Sequence, residues 1–211
     1  MTDMRQQVLD TAKELLHKGL VEGTSGNVSG RREDGTVVLT PSSIPYETMT
    51  LDELVVCDAE GAVLEGERGP TSEKALHLEC LRRYPEIGGV IHLHPVYATM
   101  FALIREPIPA VIEEVVVYIG GDVPVAEYRT TGTDDLGVEA ARHLADRSAV
   151  LLANHGMVVV GKDPAEALHH AGVVERTARI VWGARQLGEI HEIPAKVNDD
   201  FAAVYRLMRG I

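Results

Sequence analysis

The chain opens with apolar side chains at helical spacing, which predicts an amphipathic helix that ends near Gly19. Thr2 or Asp3 stands where a helix N-cap is expected. The apolar face of this helix consists of Met4, Val8, Ala12, Leu15 and Leu16. Similar spacing, with Pro, Asp or Gly at the ends, predicts five more helices. They cover residues 72–84, 96–104, 134–146, 164–187 and 198–208.

Short segments rich in β-branched residues alternate with turn residues, which is typical of strands. They cover residues 36–40, 54–57, 90–94, 123–126 and 149–160. The pairs Asp34-Gly35 and Glu60-Gly61 predict tight turns between sequential strands, so the chain lacks a strict strand–helix alternation. These patterns predict an α/β fold with a central, mainly antiparallel sheet covered by helices. With no repeat and no linker segment, residues 1–211 are interpreted as one domain.

Charge and composition narrow the classes of partner. The chain has 32 acidic and 20 basic residues, a net charge of -12, which disfavours nucleic acid and anionic membrane surfaces as partners. No uncharged stretch is long enough for a transmembrane helix, and the start of the chain shows no signal-peptide pattern. Two cysteines, Cys57 and Cys80, are too few for a disulfide framework. We therefore expect a cytoplasmic protein.

Three of the nine histidines suggest a metal site. His92 and His94 are two residues apart on a predicted strand, so both side chains should leave the same face. His155 stands at a turn or bulge between two apolar runs and is a plausible third ligand. Imidazoles so placed suit zinc, manganese or iron, whereas a single such histidine is more often an ordinary core or surface residue. We expect the histidines at 17, 143, 169, 170 and 191 to be exposed to solvent. His77 is one helical turn after Glu73, so its side chain could touch the site.

Three stretches of small polar residues precede this trio, at residues 23–29, 40–43 and 71–72. Their hydroxyls, amides and a helix N-terminus suit a phosphate, although such residues also cap helices and turns. Glu73 follows at the first helical turn. It is either a helix cap or a proton-transferring carboxylate whose pKa a dry pocket beside a bound phosphate would raise.

Together these segments resemble the class II aldolase and adducin-head family, over nearly the whole chain. The matching pieces are residues 23–29, 40–46, 71–73, 92–94 and 154–156. The resemblance implies a three-layer α/β/α fold around a mainly antiparallel sheet, and a homotetramer with active sites between subunits.

The resemblance also implies roles for individual residues. Zinc, or alternatively manganese, would be held by His92, His94 and His155, with Glu73 as the catalytic carboxylate. The phosphate of a small sugar phosphate would be bound by Gly26, Asn27, Ser42, Ser43, Thr71 and Ser72.

The implied reaction is the reversible cleavage of a ketose 1-phosphate, such as L-fuculose 1-phosphate or a related deoxy sugar, to dihydroxyacetone phosphate and a short aldehyde such as lactaldehyde. Two positions depart from the family pattern. Glu113 stands where a tyrosine serving the C4 oxygen is expected, and Thr131 stands where an aromatic residue is expected. Tyr205 is a loose match to a tyrosine that a neighbouring subunit contributes.

Several alternatives remain open. Aldolases of 5-deoxyribulose or 5-methylthioribulose 1-phosphate share the pattern, and so do a dehydratase and a ribulose-phosphate epimerase of the same fold. The epimerase pattern has an aspartate at the position of Glu73, which favours the aldolase. A non-enzymatic adducin-like binding module should lack the metal ligands, and this chain keeps all three histidines.

Overall fold

A computed structural model describes residues 3–211 of the chain. In this range one eight-stranded sheet has helices on both faces. The strands are β1 (Asn27–Arg31), β2 (Val37–Leu39), β3 (Val55–Cys57), β4 (Val63–Glu65), β5 (Gly89–Leu93), β6 (Val125–Ala126), β7 (Ala149–Leu152) and β8 (Gly156–Gly161). The helices are α1 (Met4–His17), α2 (Lys74–Arg83), α3 (Val96–Ile104), α4 (Glu113–Ile119), α5 (Asp134–Arg142), α6 (Pro164–Leu187) and α7 (Ala195–Arg209).

The sheet runs in the order β4-β3-β2-β1-β5-β8-β7-β6. Every neighbouring pair is antiparallel except β6 and β7, which are parallel. The register places His92 on β5 beside Asn27 on β1 and beside Val158 on β8. The middle of the sheet therefore carries the residues from which the candidate site is built.

Two apolar clusters separate the layers. On one face, α1, α3, α4 and α6 pack against inward-facing residues such as Ile91 and Leu93 of β5. On the other face, α2 and α5 pack against residues such as Val90 of the same strand. This alternation along β5 gives the three-layer α/β/α architecture, with a mainly antiparallel sheet, that the sequence and its resemblance predicted.

Most predicted elements are present, with bounds that differ by a few residues. Asp3 caps α1 by accepting a hydrogen bond from the backbone N–H of Arg5 at 3.4 Å, whereas Thr2, the other candidate cap, lies outside the described residues. Asp163 caps α6 by accepting from the backbone N–H of Glu166 at 2.8 Å, with Pro164 in the first turn. None of the helices between residues 3 and 211 is long and apolar enough to cross a membrane.

Several elements differ from the sequence prediction, including the short, exposed edge strand β4, which was not among the predicted strands. β1 was not predicted, because its sequence Asn-Val-Ser-Gly-Arg has no apolar alternation, yet its first four residues are buried. α4 was also missed, because its run of valines is typical of strands, and it ends at Gly120 with a φ of 97°. The segment 149–160 is a hairpin of two strands, turning at Asn154, where φ is 57°.

Candidate active site

His92 is fixed at the centre of the sheet. Its side chain is fully buried, and its Nδ1 atom lies 3.0 Å from the carbonyl oxygen of Met157 on β8. A carbonyl oxygen only accepts hydrogen bonds, so Nδ1 carries the proton. In its neutral form the ring therefore offers the Nε2 lone pair to the site, as a metal-ligating histidine requires.

The structure brings the three predicted histidines together. His94 follows the last residue of β5, and His155 follows the left-handed Asn154 in the turn between β7 and β8. The Nε2 atoms of His92 and His94 lie 2.9 Å apart, and the three ring centroids are 4.6 to 4.9 Å from one another. One ligand atom from each ring lies within 4.8 Å of the others, which is close enough for a single metal ion.

Gly156 allows this close approach. A Cβ atom at this position would collide with the ring of His94 and would lie 2.5 Å from the carbonyl oxygen of Leu93. A glycine is therefore required beside His155, because the His94 segment of the same chain approaches its backbone closely.

Glu73 faces the histidines and does not cap its helix. It occupies the N-cap position of α2 but makes no capping hydrogen bond through its side chain. Its Oε2 atom lies 2.7 Å from His92 Nε2, and its Oε1 atom lies 3.6 Å from His155 Nε2. The residue is only 5% exposed, so the carboxylate belongs to the histidine cluster.

The ligand atoms of the three histidines and of Glu73 are arranged to fit a divalent cation. His92 Nε2 faces both the carboxylate of Glu73 and the Nε2 atom of His94. A shared proton or a cation is needed to satisfy such a group of acceptors. Ligand atoms around a tetrahedral zinc ion, at about 2.0–2.1 Å from the metal, lie roughly 3.3 Å apart, which is close to the separations seen here. Three imidazoles and one carboxylate suit zinc and also manganese.

Electrostatics keep the cluster ready for a cation at neutral pH. Burial tends to raise the pKa of Glu73, but the hydrogen bond and charge of His92, together with Thr131 and His155, outweigh burial and hold this pKa well below its usual value. Burial and the neighbouring His92 lower the pKa of His94 to about 4 and also lower the pKa of His155. The imidazoles therefore stabilise the carboxylate of Glu73, and the rise in its pKa expected beside a bound phosphate stays a prediction.

A polar cleft adjoins the cluster, with an empty volume of about 600 Å³ open to solvent. All six residues predicted to bind phosphate line it: Gly26, Asn27, Ser42, Ser43, Thr71 and Ser72. Glu73, His94 and His155 line the same cleft. Ser43 has a φ of 61° and Gly26 a φ of 79°, so tight turns carry two of the cleft segments. The segment 71–73 leads into α2, whose N-terminus suits an anion.

Two residues contact the site in ways the sequence did not reveal. Thr131, which stands where the family pattern has an aromatic residue, donates a hydrogen bond from its hydroxyl to Glu73 Oε1 at 2.7 Å. His77 is fully buried, and its Nε2 atom lies 2.5 Å from Asn27 Oδ1. Its spacing of four residues from Glu73 on one helix was the available signal.

Glu113, Tyr205 and His170, for which the sequence also gave expectations, do not line the cleft. Glu113 is the exposed first residue of α4 and is not among the lining residues. Tyr205 is 3% exposed, with its hydroxyl 2.9 Å from Ser148 Oγ, so it is buried within its own chain. The prediction that His170 is exposed is wrong, because its ring is buried and its Nδ1 atom lies 2.7 Å from the carbonyl oxygen of Val160.

Comparison with known proteins identifies the family. Residues 6–182 match the family described as Class II Aldolase and Adducin N-terminal domain. The chain belongs to this family. The match spans the three histidines, Glu73 and every segment of the cleft. The fold found here is therefore that of the class II aldolase and adducin family, and its three clustered histidines could hold a metal ion.

Solved structures of similar proteins agree with this assignment. An L-fuculose 1-phosphate aldolase is 36% identical with a TM-score of 0.92, covering 98% of this chain and 97% of that chain. YgbL from Escherichia coli, named as a candidate aldolase/epimerase/decarboxylase, is 27% identical with a TM-score of 0.85, covering 94% and 97%. An L-fuculose-1-phosphate aldolase from Thermus thermophilus is 25% identical with a TM-score of 0.78, covering 87% and 95%.

Proposed function

We propose that this protein is a metal-dependent aldolase that reversibly cleaves a ketose 1-phosphate, either L-fuculose 1-phosphate or a related deoxy sugar, into dihydroxyacetone phosphate and a short aldehyde. The observation that carries the proposal is the position of Glu73 between the three imidazoles and the polar cleft. The likeness to an L-fuculose 1-phosphate aldolase over almost the full chain supports the substrate class.

The cleft would bind the phosphate group. Hydroxyls of Ser42, Ser43, Thr71 and Ser72 and the amide of Asn27 line one cavity with the N-terminus of α2. Such donors satisfy the oxygens of a phosphate ester without a lysine or arginine. Anchoring the phosphate there orients the carbon chain toward Glu73, and orientation of this kind supplies much of the rate of an enzyme reaction.

Zinc, with manganese as the alternative, would be held by His92, His94 and His155. When bound, it supplies positive charge that stabilises the negative charge left on the substrate oxygens as the carbon–carbon bond breaks.

Glu73 would move the proton at C3. In the cleavage direction the C3–C4 bond breaks, its electron pair stays with C3, and the C4 hydroxyl releases its proton to solvent as the aldehyde forms. The Glu73 carboxylate takes up a proton from solvent and delivers it to C3, so one proton leaves and one enters; in the synthetic direction the carboxylate removes the C3 proton. Its low pKa means that the carboxylate form predominates at neutral pH, which suits the base of the synthetic direction.

We also propose that the protein assembles as a homotetramer. Exposed apolar side chains form a stripe at helical spacing along α3, and the Tyr97–Trp182 ring contact joins this helix to α6. The stripe consists of Val96, Met100, Leu103 and Ile104. It begins two residues after His94, so a second copy packed there would border the site. Light scattering tests this, and a monomeric mass would contradict it.

The decisive experiment is a panel of ketose 1-phosphates with coupled detection of dihydroxyacetone phosphate, run with zinc and with manganese. The panel includes L-fuculose, ribulose, 5-deoxyribulose and 5-methylthioribulose 1-phosphates. Release of dihydroxyacetone phosphate supports an aldolase. Loss of water or inversion at a carbon, without that product, would instead indicate a dehydratase or an epimerase.

A further inference from the structure

A buried chain of hydrogen bonds runs behind the cleft to Glu73. Ser29 Oγ lies 2.7 Å from His77 Nδ1, and His77 Nε2 lies 2.5 Å from Asn27 Oδ1. The amide nitrogen of Asn27 then donates to Glu73 Oε2 at 3.3 Å. Ser29 and His77 are fully buried and Asn27 is 7% exposed, so each of these groups depends on the next for a partner.

The direction of each hydrogen bond in this chain is determined. The amide oxygen of Asn27 only accepts, so the proton of the neutral His77 ring is on Nε2. His77 Nδ1 then accepts from the hydroxyl of Ser29. A flipped Asn27 amide would place its NH2 group against His77 Nε2–H and its oxygen against the Glu73 carboxylate. With the His77 proton on Nε2 both contacts would be repulsive, so Glu73 and His77 together hold the amide in one orientation.

The fold explains why these groups meet. His77 is one helical turn after Glu73 on α2, so the two side chains leave the same face of the helix. Asn27 and Ser29 are two residues apart on β1, so their side chains leave the same face of the strand. The helix packs over that strand and presents its two polar side chains to the two on the strand.

Resting on the proposed function, we propose that His77 is a positioning residue for phosphate binding and for Glu73. Its Nε2–H holds the Asn27 amide so that one N–H points to Glu73 and the second is available to the phosphate in the cleft that Asn27 lines. Burial alone requires hydrogen-bond partners for both ring nitrogens, but it does not require one of them to be a residue that contacts Glu73 and lines the cleft, as Asn27 does.

A matched pair of variants separates the hydrogen bond from the shape. His77→Gln keeps an N–H donor, and His77→Met has nearly the same shape without one. Binding of inorganic phosphate to the metal-loaded protein is measured by calorimetry, together with kcat and KM for the ketose 1-phosphate, metal content and melting temperature. His170→Met, at a buried histidine outside the cleft, is the control.

We expect His77→Met to bind phosphate about tenfold more weakly and to lose about tenfold in kcat/KM, the effect of one hydrogen bond, with metal content unchanged. His77→Gln should stay within about threefold of the wild type, and His170→Met should match the wild type in phosphate affinity. Equal phosphate affinity in His77→Met and the wild type would overturn the inference, as would equal losses in the Met and Gln variants.

Failure of the aldolase proposal and failure of the inference about His77 give different results in the assay panel and in calorimetry. If the wild type cleaves none of the ketose 1-phosphates, the aldolase proposal fails, and the difference in phosphate affinity between the Met and Gln variants still decides the role of His77. If the wild type binds no phosphate, the inference about His77 is overturned. If His77→Met does not fold, Ser29→Ala replaces it, because it leaves the ring without its hydroxyl partner. Unchanged phosphate affinity in Ser29→Ala would then count against the inference.

Discussion

His92 Nε2 lies 2.7 Å from Glu73 Oε2, while His92 Nδ1 donates to the carbonyl oxygen of Met157. A proton or a cation between His92 Nε2 and Glu73 Oε2 allows these two atoms to lie so close. The residue proposed to move protons and the residues proposed to hold the metal thus form one electrostatic unit. A substitution in one part of this unit should therefore alter the electrostatics of the other part.

Replacing a proposed ligand should remove metal and activity together. We expect His94→Ala to lose nearly all bound zinc and to retain less than about 1% of wild-type turnover, because two imidazoles bind a divalent ion far more weakly than three. Metal analysis and the aldol-cleavage assay measure the two effects. His169→Ala, at an exposed histidine on α6, is the control. Full turnover after chelation of the wild type would contradict the metal proposal.

Glu73→Gln should separate binding from chemistry. The variant keeps the shape of the side chain and all three imidazoles, so zinc content in excess zinc and phosphate affinity should be retained. Turnover should fall by about two to four orders of magnitude, since a positioned acid–base group contributes about that much. Steady-state kinetics with metal analysis tests this, and unchanged turnover would exclude a catalytic role for Glu73.

The hydrogen bond from Thr131 should affect proton transfer by the carboxylate of Glu73. Its hydroxyl donates to Glu73 Oε1 at 2.7 Å and helps to lower the pKa of that carboxyl. We expect Thr131→Val to reduce kcat about fivefold and Thr131→Ser, which keeps the hydroxyl, to remain near the wild type. Comparing the pH dependence of kcat for the two variants tests the assignment. Identical profiles would show that the hydrogen bond has no catalytic effect.

Gly156→Ala should damage the metal site without adding a charge or removing a ligand. The new Cβ would collide with the ring of His94 and the carbonyl oxygen of Leu93, so the backbone must shift where the histidines converge. We expect zinc affinity to fall at least tenfold. Gly172→Ala, at a helical glycine with no atom near the new Cβ, is the control. Wild-type zinc affinity in Gly156→Ala would contradict the structure at this turn.

The buried His77 should make stability depend on pH. Burial, and then the charge of His92, lowers its pKa to about 3, whereas an unfolded histidine titrates near 6.5. Between these values only the unfolded chain binds the proton. The free energy of unfolding should therefore fall as the pH drops through this window and be fully retained above it.

His77→Gln removes one group that binds a proton in the unfolded chain but not in the folded protein. The slope of the free energy of unfolding against pH, between about pH 6 and 4, should decrease by at most about 1.4 kcal/mol per pH unit. Urea unfolding at several pH values measures the slope. An unchanged slope would mean that His77 is protonated in the folded protein.

The local sequence determined those helices and strands that a pattern of neighbouring residues is enough to predict. The periodicity of α1, the Asp-Pro start of α6 and the His-Leu-His alternation of β5 are encoded in neighbouring side chains, because helices and strands have fixed repeats. The polar segments also carried their resemblance to the family, so all predicted cleft residues could be named before their positions were known.

Only the tertiary structure decided which of these groups touch. β1 has no apolar alternation and becomes a central strand because β2 and β5 pair with both of its edges. The valines of α4 favour a strand, but packing against the apolar cluster places them in a helix. The contacts of Thr131 with Glu73 and of His77 with Asn27 join residues about fifty positions apart, and no local pattern encodes the direction of a hydrogen bond across that distance.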